Sequence, residues 1–226
     1  MAEINLLNKE TEVLFVDKNP NDPFINFQLA STDTFLIGVS NPNLVLNYNA
    51  TKPTTGTNLW TYASATTART MPLQPAFYAA LPNLVADTNV TGDGSVYFVG
   101  SSGNYFEAFD RGGNFNVAAG VFTAPVTGRY FLNCQLYARD LTAAHTACNI
   151  RFIVSNRNFY KNIGNIGVMR NPSNDFMPSI NCFVDMDAAD VAHVELQILN
   201  GALVVDISGG LPFVVFPTFF AGMLVH

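Results

Sequence analysis

Side chains able to do chemistry are few in this chain, and they are scattered. Asp185, Asp187 and Asp190 form the densest acidic cluster. In an extended segment Asp185 and Asp187 share one face, and carboxylate oxygens of this kind suit calcium. A solvated turn between two strands is the competing reading, because no second acidic segment completes a cation shell. His145, His193 and His226 are too dispersed for a metal triad. Cys134, Cys148 and Cys182 make an odd, widely spaced set without a CxxC pair, which reads as free, buried thiols of a protein made in a reducing cytoplasm. Arg151 and Arg157 flank a short apolar run and Arg139 precedes Asp140, positions that read as solvated rim residues. No GxSxG elbow, phosphate loop, HExxH or nucleotide fingerprint occurs. The expectation is a protein that is not an enzyme and holds no cofactor beyond a calcium ion.

Recognition has more to draw on. The Gly- and Asn-rich stretches 100–116 and 156–174 read as loops, and loops on a rigid β-scaffold commonly carry binding. Tyr105, Phe106, Phe109, Phe159 and Tyr160 within them are candidates for stacking on sugars, for contacting another protein or, the preferred reading, for packing inside a trimer.

Such residues need a scaffold, and composition bounds it. The chain has 226 residues, 49% of them hydrophobic, enough for one substantial core or a core plus an appendage. Only 12% are charged, against roughly 25% in ordinary soluble domains. A surface so poor in charge is coated with neutral polar groups, covered by another chain, or both. A net charge of −6 leaves no electrostatic footprint for nucleic acid, and 19 Phe with 8 Tyr exclude intrinsic disorder. The first residues, Met1-Ala2-Glu3-Ile4-Asn5, carry neither the basic nor the apolar region of a secretory signal, so no export is expected. The longest apolar stretch, 211–225, is too short to span a membrane and contains Pro212 and Pro217, so no membrane insertion is expected and the stretch reads as a buried strand.

Helical periodicity is almost nowhere sustained, whereas short apolar runs cut by Asn, Gly, Pro and Asp recur throughout, which predicts an all-β chain. Residues 1–71 read as a β-rich arm of four short strands at 13–16, 24–29, 34–39 and 44–46, ending in an extended Thr-rich linker at 51–70. Four such strands are marginal alone, so the arm must pack on copies of itself or on a larger surface. Residues 72–226 read as one sandwich or barrel, with strands at 76–80, 96–99, 120–123, 129–138, 148–154, 158–161, 179–185, 191–199, 203–207 and 218–225. Alternation over 191–198 puts Ala192, Val194, Leu196 and Ile198 on one face and His193, Glu195 and Gln197 on the other.

Four segments of this second region, in order, resemble the complement C1q-like head of the tumour necrosis factor-like jelly-roll superfamily. Gln74-Pro75-Ala76-Phe77-Tyr78-Ala79 looks like its opening strand, and residues 120–132 are similar to its G-x-F-x-x-P-x-x-G-x-Y-x-F motif, with Gly120, Phe122, Pro125, Gly128 and Tyr130 at the motif positions. Residues 185–191 stand where the family has L-x-x-G-D-x-V, with Ala189 in place of its glycine. Residues 218–224 resemble the terminal F-S-G-F-L-L strand through Phe220 and Gly222, whereas Asn133 lies where the family is apolar. These residues have structural roles: glycines for tight or positive-φ turns, a proline to pin a turn, and core aromatics. No collagen repeat precedes the region. In the arm, Asp22-Pro23-Phe24-Ile25-Asn26-Phe27 and Phe35-Leu36-Ile37-Gly38 are similar to stalk segments of phage tail fibres.

The resemblance implies a ten-strand jelly roll and a homotrimer burying aromatic faces along a threefold axis. The expectation is a virion structural protein of a tailed phage, assembled in the host cytoplasm. Its arm, residues 1–71, would mount on the major capsid protein or a tail component while the head projects outward. Capsid decoration is preferred to a tail fibre that recognises a host surface glycan or protein, and a free C1q-like lectin or ligand is the third reading.

Overall fold

The same short alternating runs that predict strands pair into antiparallel sheets. A computed structural model of the chain describes residues 71–225 apart from 72, 83, 156 and 211–215, and before them the backbone of six strands. The chain divides into two units, residues 1–74 and 75–226.

In the first unit β1 (Glu12–Asp17), β2 (Phe24–Leu29), β3 (Asp33–Ser40), β4 (Asn43–Tyr48), β5 (Thr57–Ala63) and β6 (Ala68–Thr70) pair in sequence order as one meander. The last two strands correct the linker expected at 51–70. Thr, Trp and Tyr at 57–62 favour extended backbone through their branched or aromatic side chains, and that outweighs the loop-like composition around them.

The second unit runs β7 (Ala76–Ala80), β8 (Ala86–Thr91), β9 (Val96–Phe98), β10 (Phe106–Arg111), β11 (Phe115–Asn116), β12 (Val121–Thr123), β13 (Gly128–Gln135), β14 (Ala138–Arg139), β15 (Ala147–Val154), β16 (Arg157–Gly164), α1 (Ile166–Met169), β17 (Ser179–Met186), β18 (Val191–Leu199), β19 (Val205–Ser208) and β20 (Phe219–Val225). One sheet has the order β10-β7-β20-β13-β17, and a second has β11-β12-β18-β15-β16 with β9 alongside β18. A small third sheet, β14-β19-β8, lies beside them. This is the all-β jelly-roll sandwich the sequence predicts. The ten strands expected gain β8, β10 and β11, and the run 129–138 breaks into β13 and β14. β8 was missed because Asp87, Thr88 and Asn89 read as a turn, and β10 because glycines and asparagines flank it. At the end of the chain the strand begins only at Phe219, after Pro217; positions 211–215 of the apolar stretch lie outside the described residues. Among the described residues no helix is long and apolar enough to cross a membrane.

The core sits between the two main sheets, built from alternate residues: Tyr130, Leu132 and Cys134 of β13 face Ile150 and Phe152 of β15 and Val194, Leu196 and Ile198 of β18, all buried. Phe77 is its centre. Its ring stacks on Phe115 at 4.8 Å and on Phe122 at 4.7 Å, and Phe220 meets it edge-on at 5.0 Å. Gly222 makes room for this cluster, since a Cβ there would lie 2.7 Å from the Phe77 ring. Gly120 turns with φ +65°, and a Cβ would lie 2.3 Å from the Val99 carbonyl oxygen. Gly128, expected to serve a turn, instead opens β13 with the Leu224 side chain over it. Pro125 is exposed in the connection to β13, which Tyr130 closes by donating its hydroxyl to the Val126 carbonyl at 2.7 Å.

Candidate functional site

The side of β13, β17 and β20 turned away from the core carries Phe131, Phe183, Phe219, Ala221 and Met223, with Arg129, Asn133, Gln135, Ser179, Asn181 and Asp185 as polar neighbours. The paired register sets Phe131 beside Phe183 of β17 and Met223 of β20, and Tyr78 of β7 beside Phe109 of β10 and Ala221. Phe131 and Phe183 lie 5.2 Å apart, Tyr78 stacks on Phe219 at 5.1 Å, and Tyr78 meets Phe109 at 6.3 Å. Phe183 remains 60% exposed, Phe109 50% and Met223 47%. Tyr78, Phe109, Phe131, Phe219 and Met223 line a shallow hollow of about 260 Å³ on the outward side of the sheet, with Phe183 beside Phe131 at its margin. Asn133, the polar departure in β13, lies within it. Burial among these rings pushes the Tyr78 hydroxyl pKa up. The arrangement has no acid, base or nucleophile at its centre. What it can do is bury apolar surface against another apolar surface.

Only Phe109 of the five aromatics singled out from sequence belongs to this face. Phe106 is half-buried against Phe216 at 5.0 Å. Tyr105 is buried in the protomer's own core and Phe159 packs against it, so neither is a loop contact. Tyr160 is 74% exposed and lines a groove of about 560 Å³ between the edge strands β16 and β17, with Lys161, Asn181 and Cys182. The two stretches read as binding loops thus contain regular elements: β10 and β11 lie in the first, β16 and α1 in the second. Sequence reading missed Tyr78, Phe131, Phe183, Phe219 and Met223. The available signal was apolar residues at both parities in Tyr130-Phe131-Leu132 and Phe219-Phe220, the pattern of a strand covered on both faces.

Asp185, Asp187 and Asp190 line one hollow of about 280 Å³, but Arg129 and Arg157 line it with them. Asp185 pairs with Arg129 at 2.9 Å, which holds its carboxyl pKa below the usual range. Asp190 accepts the Asp187 backbone N–H at 3.0 Å and so caps the turn. Two of the three carboxylates therefore have local partners. Asp187 also lies beyond the end of β17 rather than sharing its face with Asp185. Among the described residues no three His, Cys, Asp or Glu side chains group as metal ligands. Arg151, read as a rim residue, is half-buried and ion-paired with Glu195, Nε to carboxylate oxygen 3.0 Å, with His193 at 3.6 Å from the same carboxylate. His145 is fully buried: its Nδ1 accepts the Thr142 N–H at 2.8 Å, so Nε2 carries the proton, 3.3 Å from the Ala202 carbonyl. The thiols are free as expected, with Cys182 only partly buried, and burial pushes Cys148 up to about 12 and Cys182 to about 11. His226 lies outside the described residues.

No family model matches the sequence, and no curated protein is similar to it. Solved structures are similar in fold. The globular domain of zebrafish complement 1qA protein aligns with a TM-score of 0.43 at 14% identity, covering 68% of this chain and 98% of that one. Murine APRIL at pH 8.0 gives 0.43 at 14% identity, with 67% and 99% covered. PRD1 vertex protein P5 gives 0.47 at 9% identity, with 73% and 80% covered.

Proposed function

We propose that the protein is a non-enzymatic structural component of a tailed-phage virion, working as a homotrimer with its second unit projecting from the particle. The observation that carries this reading is the outward aromatic face of Tyr78, Phe109, Phe131, Phe183, Phe219 and Met223. Isolated exposed apolar residues are ordinary, but aromatic rings grouped on one sheet face, with Met223 and Ala221 between them, belong to an interface. Its composition is that of an obligate contact, with aromatics and Met at the centre and charge only at the margin, where Arg129 pairs with Asp185. Three copies related by a closed rotation bury such a face without leaving it open to further growth. The sequence likeness of residues 22–27 and 35–38 to tail-fibre stalks supports the virion setting.

Capsid decoration is the preferred mount, with the first unit held on the major capsid protein. The second reading, a tail fibre, is favoured by the groove between β16 and β17, where exposed Tyr160 offers a ring to a host surface glycan or protein. Light scattering on the purified chain tests the trimer: a mass three times 24.6 kDa is expected, and Phe183→Asp should reduce it to one protomer. Counting copies per virion by quantitative mass spectrometry tests the mount. Hundreds of copies relative to the major capsid protein fit decoration, a few to a few dozen fit a tail fibre, and none rejects the virion reading.

A further inference from the structure

The register of the first unit carries an inference of its own. Directly opposed residues of an antiparallel sheet lie on the same face. One transverse row is therefore Leu14, Phe27, Phe35 and Tyr48. The next on the same face is Val16, Ile25, Ile37, Leu46 and Trp60, whereas the row on the other side of Leu14 places Glu12 and Asp33 beside Leu29 at the margin of this face. The opposite face interleaves its apolar residues with Asn26, Gln28, Thr34, Asn47 and Thr61. The six strands of this unit form a single sheet. A single-layer sheet with one apolar face does not hold in water without a cover.

We infer that this face is covered by the same face of other copies of the chain, so that in the trimer proposed above, on which the inference rests, three sheets turn their apolar rows toward one axis. Six strands of about six residues, spaced about 4.8 Å apart, present roughly 550 Å². Each face is shared between two neighbours, so the three together remove about 1,650 Å², roughly 550 Å² per pair of copies, which adds to the contact made by the second units. The edges fit. β1 carries Glu12 and Asp17 and no base, whereas β6 carries Arg69 and no acid, so the first edge of one copy complements the last edge of the next in a closed ring. The polar face is then the one left for the particle, and the first unit is a trimer core before it is an anchor.

The test uses the full chain in a Cys182→Ser background and a short bis-maleimide cross-linker. Ile37→Cys lies in the middle of the apolar face, and Leu36→Cys is its neighbour on the opposite one. Covalent dimers and trimers are expected from Ile37→Cys and only protomers from Leu36→Cys; Ile25→Cys, beside Ile37 in register, serves if Ile37→Cys does not fold. Equal cross-linking of the two variants in a particle of three protomers overturns the inference and leaves the trimer standing, with the face covered by another partner. A protomer mass for the unmodified chain overturns the trimer as well.

Discussion

Ala189 holds a left-handed backbone, φ +73°, at the position where the resembled family places glycine. The turn closes nonetheless, with the Ala189 N–H donating to the Ala124 carbonyl at 2.8 Å and the Asp190 N–H to the Asp187 carbonyl at 3.0 Å. A Cβ in this conformation costs roughly 1–2 kcal/mol, of which glycine's greater freedom in the unfolded chain takes back about 0.4–1. Ala189→Gly is thus expected to stabilise the fold by about 0.5–1 kcal/mol in denaturant titration. His193 sets a second single-residue effect. Burial lowers its pKa below the usual 6.5, with the Glu195 carboxylate pulling the other way, and the edge of Phe98 covers it at 4.3 Å. The unfolded chain then takes up the proton more readily than the folded one, so this contribution is fully present above pH 6.5 and is lost as pH falls from there through the folded-state value. His193→Gln should make the thermal midpoint fall less between pH 7.5 and 5.5 than it does in the parent; an unchanged fall would remove His193 from the account.

Elements are held together by buried polar contacts that no local pattern announces. Asp87 of β8 accepts hydrogen bonds from the Tyr97 hydroxyl, from Ser102 Oγ at 2.7 Å and from Asn104 Nδ2 at 2.6 Å, tying β8 and β9 to the turn before β10. Asp87→Ala leaves three donors without their acceptor, Tyr97 among them deeply buried, and is expected to cost about 2–4 kcal/mol by denaturant titration. Nothing in the local sequence marks Asp87, because its partners lie 10 to 17 residues away and meet only when the loop closes. By contrast, the core face of β18 was legible residue by residue, since Ala192, Val194, Leu196 and Ile198 alternate with polar neighbours. β13 and β20 conceal their second face for the opposite reason. In β20 apolar residues occupy both parities, and in β13 Phe131 stands alone among the polar outward residues Arg129, Asn133 and Gln135, so neither pattern separates a partner-facing side from ordinary surface or core. The aspartates misled because residue type and spacing alone cannot reveal that Arg129, 56 positions away, pairs across the strands with Asp185.

At the scale of the molecule, low charge and the exposed aromatic face of the second unit make apolar burial, not ion pairs, the driving force of the assembly proposed above. Such an assembly gains stability by mass action, so its thermal midpoint rises with protein concentration. It should also resist salt. Between about 0.1 and about 1 M NaCl the screening length falls from roughly 10 to 3 Å, which would loosen an interface held by exposed pairs. Here the pair at the margin, Arg129 with Asp185, is mostly exposed on both sides and contributes little. The midpoint measured by scanning calorimetry at several concentrations is therefore expected to climb with concentration and to stay level or rise with salt. Phe183→Asp introduces a charge into the apolar patch of the second unit, where desolvating it opposes association. Its midpoint should lose most of that concentration dependence; a marked fall with salt in the parent would instead assign the assembly to its charges.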